Sequence, residues 1–311
     1  MTPRGRAAAR ACTRDAPLSR APHPGRLGAA EVRRLAADLG LRPSRARGQN
    51  FVVDPATVER IARLAGAGPG EVVLEIGPGL GSLTLPLLAT GAAVVAVEID
   101  ERLAGRLPAT VEAHLPAARE RLRVVVADAV HLDAATVAAA TGPPTVLAAN
   151  LPYNVAVPVL LTALERLPSL ASGVVMVQAE VADRLTAAPG SRVYGAPTVK
   201  LAWHAAARRA GAVPPSVFWP VPHVDSGLVA LTRRAPPGPP ELREATFACV
   251  DAAFAQRRKG LRGALAPLAG SPSAAAAALA AAGLDPLTRG EQLGVADFVR
   301  LAAALTGPAP G

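Results

Sequence analysis

Residues 146–153, Val-Leu-Ala-Ala-Asn-Leu-Pro-Tyr, join a short apolar run to a turn that carries an amide, a proline and an aromatic ring. Earlier in the chain, the apolar run Val72–Ile76 leads directly into the glycine-rich loop Gly77-Pro78-Gly79-Leu80-Gly81. Open α/β sheets bind their ligands at the carboxyl ends of parallel strands, where such loops begin. The two segments therefore predict one pocket that holds a planar, amine-bearing ring beside a nucleotide-like cofactor.

The central part of the chain alternates short apolar runs with helix-compatible segments, which is typical of a parallel sheet covered on both faces. We therefore predict an α/β fold with a Rossmann-like sheet. Two further segments, Lys200–Ala206 and Leu228–Thr232, predict an antiparallel addition at one edge. The predicted parallel strands are Val72–Ile76, Ala93–Val97, Val124–Val126, Val146–Ala149 and Val174–Val177.

Composition divides the chain into three parts. Residues 1–28 hold six arginines and one acid and lack hydrophobic periodicity, which predicts a disordered basic extension. Residues 29–235 form the predicted catalytic domain, and the stretch Ala-Pro-Pro-Gly-Pro-Pro at 235–240 predicts a stiff linker. Residues 241–306 predict a small helical C-terminal domain, whose first helix includes Phe247 and Leu265 and whose later helices cover 273–282 and 295–305.

The net charge of +9 is concentrated in the first 28 residues, so the rest of the chain is only mildly basic. The two cysteines, Cys12 and Cys249, form no metal or redox motif. No histidine has ligand spacing, and we expect no metal site. No apolar run is long enough to cross a membrane. These features predict a soluble, cytoplasmic protein without a membrane partner.

The glycine-rich loop and two strand-end acids predict the cofactor contacts. Gly77 and Gly79 allow the backbone to approach a ligand closely, although a tight turn without a ligand is the alternative. Glu98 ends the second strand, where a carboxylate accepts hydrogen bonds from ribose hydroxyls. Asp128 ends the third strand and is a candidate acceptor for an adenine amino group. The alternative for Asp128 is an N-cap of the following helix.

Residues 150–153 predict chemistry on an exocyclic aromatic amine, most plausibly N6 of adenine. The side-chain carbonyl of Asn150 and the main-chain carbonyl of Leu151 can each accept one N6–H. Pro152 stiffens the turn, and Tyr153 offers a face on which the base can stack. Phe218 precedes Pro220 in a rigid loop and is a candidate to close the other face of an extruded adenine. Core packing is the alternative for Phe218.

Two groups of basic residues are candidates for RNA phosphate contacts, although charged runs are more often solvated surfaces. The first group flanks the loop that leads to Asn50. The second is predicted to lie on the first C-terminal helix. The residues are Arg45 and Arg47 in the first group and Arg257, Arg258, Lys259 and Arg262 in the second.

Many ordered motifs together closely resemble those of the small-subunit ribosomal RNA adenine dimethyltransferases, over roughly residues 41–305. Each motif alone is weak, but the ordered set is highly specific. The set comprises Gly48-Gln49-Asn50-Phe51, Glu75–Gly81, Val97-Glu98-Ile99-Asp100, Ala127-Asp128-Ala129, Ala149–Asn154, Val177–Leu185, Gly190–Gly195, Pro220–Ser226 and Phe254–Lys259.

The resemblance implies a class I methyltransferase fold and S-adenosylmethionine as methyl donor. It implies dimethylation of N6 on two adjacent adenosines in a hairpin loop near the 3′ end of 16S RNA. The partner would be the pre-30S ribosomal subunit, engaged in part by the helical C-terminal domain, and we expect a monomer. The cofactor contacts that the resemblance implies are Asn50, Val52, Gly77, Glu98, Asp128 and Asn150.

Three alternatives remain at this level. A large-subunit, macrolide-resistance type 23S adenine methyltransferase would share the pocket, although the C-terminal helical domain with Gln256–Lys259 argues against it. A non-catalytic RNA-binding assembly factor would share the fold, although the intact Asn150–Tyr153 turn argues against it. A nicotinamide dehydrogenase would rest on the glycine loop alone, whose third glycine comes one residue early for that class.

Overall fold

The computed structural model describes residues 25–41 and 50–307 of the chain. The predicted basic extension, apart from its last four residues, and the candidate RNA contacts Arg45 and Arg47 lie outside the described residues. The strands are β1 Phe51–Val52, β2 Val72–Ile76, β3 Ala93–Glu98, β4 Leu122–Val126, β5 Val146–Asn150, β6 Ser172–Gln178, β7 Ala205–Val213, β8 Phe218–Trp219 and β9 Ser226–Arg233.

Twelve α-helices connect and follow these strands within the described residues. They are α1 Ala29–Asp38, α2 Pro55–Ala65, α3 Thr84–Ala89, α4 Glu101–His114, α5 Ala134–Thr141, α6 Ala156–Arg166, α7 Ala179–Leu185, α8 Ala196–His204, α9 Arg243–Ala255, α10 Leu261–Ala269, α11 Pro272–Ala281 and α12 Val295–Thr306.

Seven strands form one sheet in the order β4-β3-β2-β5-β6-β9-β7. The strands from β4 to β6 are parallel, whereas β9 pairs antiparallel with both β6 and β7. The strand order reverses between β2 and β5, so their carboxyl ends lie side by side at the switch point where open α/β sheets bind ligands. The predicted α/β, Rossmann-like fold is confirmed.

Both faces of the sheet are buried, which explains why the strands are continuous apolar runs. Because side chains alternate along a strand, Val73 and Val94 pack on one face, and Leu74 and Val95 pack on the other. The first face is covered by α1 to α4 and the second by α5 to α8. Two hydrophobic cores therefore enclose the sheet and fix the positions of the loops at the carboxyl ends of its parallel strands.

One predicted edge strand is wrong in its position. Lys200–Ala206 was expected as a strand, but Lys200 to His204 complete α8, and β7 begins at Ala205. Pro197 at the start of α8 favours a helix at this point, because proline suits the first helical turn. The antiparallel partner near Leu228–Thr232 is present as β9.

The helical C-terminal part begins after the proline-rich segment. The predicted first helix is two helices, α9 and α10, separated by a turn before Gly260, whose backbone is extended. The remaining two predicted helices match α11 and α12. A third hydrophobic core holds these helices together and also takes in Tyr194, Val199 and Trp203, which precede the predicted domain boundary. The boundary itself remains a prediction.

No single helix among residues 25–41 and 50–307 is long and apolar enough to cross a membrane. Only α10 and α11 taken together reach that length and composition, and a bend of 109° separates them.

Two glycine-to-alanine variants are expected to change stability in opposite directions. A Cβ on Gly173 in β6 would lie 2.6 Å from the Leu147 carbonyl oxygen on β5, so Gly173→Ala must push two core strands apart. We expect a loss of about 1–3 kcal/mol. Gly105 lies exposed in α4 with open space around it, so Gly105→Ala is expected to gain about 0.5–1 kcal/mol. Urea unfolding of both variants checks the pair, and a stable Gly173→Ala protein would contradict the packing.

Candidate active site

A cavity of about 520 Å³ opens at the carboxyl ends of β2, β3 and β5. Every predicted cofactor residue except Asp128 lines it. The sheet alone explains this convergence, because the loops that follow three adjacent parallel strands must leave the same edge. The predicted residues on its wall are Asn50, Val52, Gly77, Gly79, Glu98 and Asn150.

The loop after β2 has a conformation that requires glycine. Gly77, Gly79 and Gly81 have φ values of 70°, 56° and 99°. A Cβ on Gly79 would lie 3.0 Å from the Phe51 ring, and Phe51 also lines the cavity. The loop therefore presents bare backbone to the cavity, which is the arrangement a closely held ligand needs.

Glu98 is fixed at the end of β3 by main-chain donors. Its Oε2 accepts a hydrogen bond from the Gly79 N–H at 3.1 Å, and its Oε1 accepts one from the Asp100 N–H at 3.0 Å. Burial raises the pKa of the Glu98 carboxyl, while these hydrogen bonds lower it. The side chain is thus held as an oriented acceptor facing the cavity, as the ribose role requires.

Glu75 is a second buried acid in the same cavity, and the sequence analysis assigned it no role. Its strand neighbours in β3 and β5 are Ala96 and Ala148, whose small side chains leave room for a carboxyl inside the sheet. Glu75 is 1% exposed, and its Oε2 has no hydrogen-bond partner. Burial raises its pKa to about 8, the Thr84 hydroxyl lowers it, and the charge of Glu98 raises it further. An acid inside an otherwise apolar strand is the sequence signal that would have identified it.

Asn150 ends β5, and its side-chain amide is oriented by the neighbouring loop. Its Nδ2 donates to the main-chain carbonyl of Asn50 at 3.1 Å. Because the amide nitrogen is used in this way, the Oδ1 atom points away from Asn50 and remains the acceptor. The next residue, Leu151, has a buried side chain, and its N–H donates to the Met176 carbonyl at 3.0 Å. Neither cavity wall includes Leu151, and the role of its main-chain carbonyl remains a prediction.

A second cavity of about 370 Å³ adjoins the first, because Asn50 lines both. Tyr153 and Gln178 lie on its wall, together with Pro222 and Val224. The Tyr153 hydroxyl shares a 2.7 Å hydrogen bond with the hydroxyl of Ser226, which is fully buried. Burial raises the pKa of the Tyr153 phenol, so the phenol is neutral at physiological pH. Sequence analysis missed Ser226, since only the pairing of β9 with β6 brings it near Tyr153.

The structure does not place Phe218 where a base could stack on it. Phe218 is 1% exposed and packs in the core beneath the sheet, and neither cavity includes it. Its strand β8 pairs with β1, so Phe218 lies opposite Val52 and anchors the segment that carries Asn50. Core packing, the alternative considered for Phe218, describes its observed contacts, and the stacking role remains a prediction.

Asp128 lies outside the cavity wall and caps a short turn. Its carboxylate accepts from the Val130 N–H at 2.9 Å and lies 3.1 Å from the His131 ring nitrogen. These contacts lower the pKa of Asp128, chiefly through the Val130 hydrogen bond. The N-cap alternative therefore describes the observed contacts, and the cofactor role of Asp128 remains a prediction.

The second basic group does not lie on one helix. Arg257, Arg258 and Lys259 occupy the turn between α9 and α10, and Arg262 lies in α10. Arg258, Lys259 and Arg262 are exposed, as a phosphate contact requires. Arg257 is exposed as well, but its guanidinium is bound to Glu291 and to two main-chain carbonyls.

The buried Glu75 predicts a specific dependence of stability on pH. Its carboxyl titrates near 4.5 when exposed in the unfolded chain and near 8 in the folded protein. Between these values the folded state binds the extra proton, so this group lowers stability as the pH rises from about 4.5 to about 8. Glu75→Gln is expected to remove that loss and to be more stable than the parent at pH 8. Urea unfolding at pH 5 and pH 8 checks this, and equal changes at both pH values would contradict the raised pKa.

The ribosomal RNA adenine dimethylase family matches residues 42–306 of this chain. A ribosomal RNA small subunit methyltransferase A from Thermobifida fusca is 62% identical over 273 residues, covering 88% of this chain and 94% of that protein. A protein of the same name from Kineococcus radiotolerans is 63% identical, covering 91% of this chain and 93% of that protein. These matches confirm the predicted family.

Two solved structures share the fold. A dimethyladenosine transferase from Plasmodium falciparum superposes with a TM-score of 0.66 at 22% identity, covering 81% of this chain and 95% of that one. The 23S rRNA methyltransferase ErmE superposes with a TM-score of 0.60 at 27% identity, covering 83% of this chain and all of ErmE. The sheet, the paired cavities and the sequence matches lead to one conclusion: the chain belongs to the ribosomal RNA adenine dimethylase family.

Proposed function

We propose that this protein transfers methyl groups from S-adenosylmethionine to N6 of two adjacent adenosines in the 3′-terminal hairpin loop of 16S rRNA. The observation that carries the proposal is the position of Asn150. Its amide stands at the end of β5, lines the larger cavity, and donates to the main-chain carbonyl of Asn50, the residue that lines both cavities. One side chain can thus act at the boundary between a cofactor site and a base site.

The larger cavity fits S-adenosylmethionine in its chemistry. The bare glycine loop accommodates close contact, and Glu98 supplies a fixed acceptor for ribose hydroxyls. The unpartnered Oε2 of Glu75 supplies a second buried acceptor, which suits the ammonium group of an amino acid moiety. Asn50, Val52, Gly77 and Gly79 complete the proposed set on the wall. S-adenosylmethionine, when bound, supplies a methyl carbon that is already activated by a sulfonium leaving group.

The N6 nitrogen of adenine is a weak nucleophile because its lone pair is delocalised into the ring. The Asn150 Oδ1 and the Leu151 main-chain carbonyl each accept one N6–H. These hydrogen bonds favour a more tetrahedral nitrogen and aim its lone pair at the electrophile. Such assistance is positioning and differential binding of the transition state. No strong base is required, because the sulfonium is already a good leaving group.

The smaller cavity is the proposed base site. Tyr153 supplies the stacking face, and its hydrogen bond to the buried Ser226 limits rotation of the ring. Pro152 restricts the turn between Asn150 and Tyr153, so that the carbonyls and the ring keep one relative orientation. Gln178 adds an amide on the wall, where it can contact a polar edge of a base.

The 23S rRNA methyltransferase alternative has some structural support, because ErmE aligns over its whole length with this chain. The C-terminal helices therefore argue against that alternative less strongly than the sequence pattern suggested. Sequence identity favours the small-subunit substrate, at 62% for the Thermobifida fusca protein against 27% for ErmE.

The remaining alternatives fit the site less well. A non-catalytic assembly factor would have no need for the oriented Asn150 amide or for an intact glycine loop beside it. A dehydrogenase would need a pyrophosphate site, whereas the cavity beside the glycine loop is lined by two buried acids, Glu75 and Glu98. We further propose that the protein acts as a monomer in the cytoplasm, where pre-30S subunits are assembled.

Methylation of isolated ribosomal subunits tests the substrate. We expect the protein and labelled S-adenosylmethionine to modify unmethylated 30S subunits, with mass spectrometry locating dimethyladenosine at two adjacent positions of the 3′ hairpin. Isolated 50S subunits serve as the matched control. Label confined to 23S RNA would support the macrolide-resistance alternative and refute the proposal.

Asn150→Ala is expected to slow methyl transfer. Loss of about two hydrogen bonds corresponds to roughly 1.5–3 kcal/mol, which predicts a rate decrease of ~10–100-fold. Asn154→Ala removes the same side chain at the exposed rim and is expected to change the rate less than about threefold. Single-turnover rates on 30S subunits compare the two variants. An unchanged rate for Asn150→Ala would exclude the role given to its amide.

A further inference from the structure

Arg257 makes three internal contacts that tie together parts of the chain far apart in sequence. Its guanidinium donates to the main-chain carbonyls of Arg192 at 2.8 Å and Tyr194 at 2.7 Å. The same group pairs with the Glu291 carboxylate at 3.2 Å. A guanidinium presents its donors in a fixed planar fork, so one arginine can satisfy several acceptors that a lysine cannot. Arg257 is therefore a clamp between the helical part and the loop before α8.

Further contacts hold the same loop. The Gly190 N–H donates to the Glu291 carbonyl at 2.7 Å, and the Tyr194 hydroxyl donates to the Leu293 carbonyl at 2.8 Å. Residues 190–195 are thus fixed at both ends to the segment that precedes α12. The residues between those ends, Arg192 and Val193, are exposed at the surface. Arg257 therefore binds only the main chain of Arg192, and the Arg192 side chain remains exposed.

The basic residues around the clamp differ from Arg257 in their partners. Arg192, Arg258, Lys259 and Arg262 are exposed, and no acidic side chain among residues 25–41 and 50–307 pairs with any of them. Arg258 and Lys259 directly follow Arg257, which itself touches the Arg192 backbone. Arg258 and Lys259 therefore lie beside the loop that carries Arg192, and Arg257, although exposed as well, has its guanidinium held by partners within the protein.

We infer that Arg257 does not bind RNA itself but positions the 190–195 loop so that Arg192 contacts RNA phosphates beside Arg258 and Lys259. The inference rests on the proposed function, because it takes ribosomal RNA as the partner. Unpaired, exposed cations gain most from phosphates, since binding them releases condensed counterions without breaking an internal ion pair. Arg192 is thereby added to the RNA-binding surface, and Arg257 becomes a positioning residue.

Charge-conserving substitutions separate the two roles. Binding to unmethylated 30S subunits is measured over a series of salt concentrations. Arg192→Ala is expected to weaken binding severalfold. It is also expected to reduce the slope of log K against log salt concentration by about 0.7–0.9, and Arg192→Lys is expected to restore both quantities. Arg257→Lys keeps the charge but cannot bridge two carbonyls and a carboxylate. It is therefore expected to weaken binding like Arg192→Ala, and adding Arg192→Ala to it should cause no further loss.

The opposite pattern would overturn the inference. Normal binding by Arg257→Lys, or additive losses in the double variant, would make Arg257 a direct phosphate contact. Normal binding by Arg192→Ala would show that the 190–195 loop is not part of the RNA-binding surface. Because Arg192 is exposed, its substitution is not expected to prevent folding. The matched control is Arg63→Ala on α2. Arg63 is exposed and has no ion-pair partner in the part of the chain that the structure describes, and an equal loss there would indicate only unspecific charge.

Two accompanying measurements keep this test separate from the proposed function. S-adenosylmethionine affinity is expected to be unchanged in every variant, because none of these residues lines the cofactor cavity. The unsubstituted protein is assayed for dimethyladenosine in the same subunits. Binding without methylation would refute the proposed function and leave the comparison of the arginine variants intact. If the unsubstituted protein methylates the subunits and Arg192→Ala binds them normally, only the inference that Arg192 contacts RNA is refuted.

Discussion

The hydrogen bond from the Asn150 side chain to the Asn50 carbonyl connects the parts of the site that the fold brings together. Asn150 comes from the end of a central strand, whereas Asn50 comes from a segment that reaches the site through the pairing of β1 with β8. The bond consumes the amide donor and leaves the amide oxygen for a substrate. Without it, the amide would be free to rotate, and the larger cavity would lose an oriented acceptor at the end of β5.

Two buried acids give the larger cavity its electrostatic character. Glu98 is held by two main-chain donors, which offset part of the cost of burial. Glu75 has an oxygen without a partner, so its proton is retained to about pH 8. The charge of Glu98 adds to the upward shift of the Glu75 pKa. A cavity built in this way is destabilising for the empty protein and suits a ligand that brings hydrogen-bond donors.

The helical part shows how charge is divided between structure and surface. Arg257 sits in a run of three basic residues, yet its partners are two carbonyls and one carboxylate. Its neighbours Arg258 and Lys259 are exposed and unpaired among the described residues. The same division occurs with aromatic residues in the catalytic part, where Tyr153 lines a cavity and Phe218 fills the core. Residue class alone does not distinguish these roles, because basic side chains and aromatic side chains each occur in both.

The sequence by itself determined the features that depend on local order. Gly77 and Gly79 after an apolar strand, Glu98 at the end of the next strand and Asn150 at the end of β5 all follow from strand periodicity and from the rule that parallel strands share one edge. The tertiary structure alone decided the features that depend on distant neighbours. Glu75 is buried because Ala96 and Ala148 flank it, Tyr153 meets Ser226 through strand pairing, and Phe218 turns inward where β8 joins β1. Arg257 has the same origin, since its partners lie 34 to 65 residues away. A local pattern encodes which way a strand or helix faces, but only packing determines which side chain from elsewhere occupies the space in front of it.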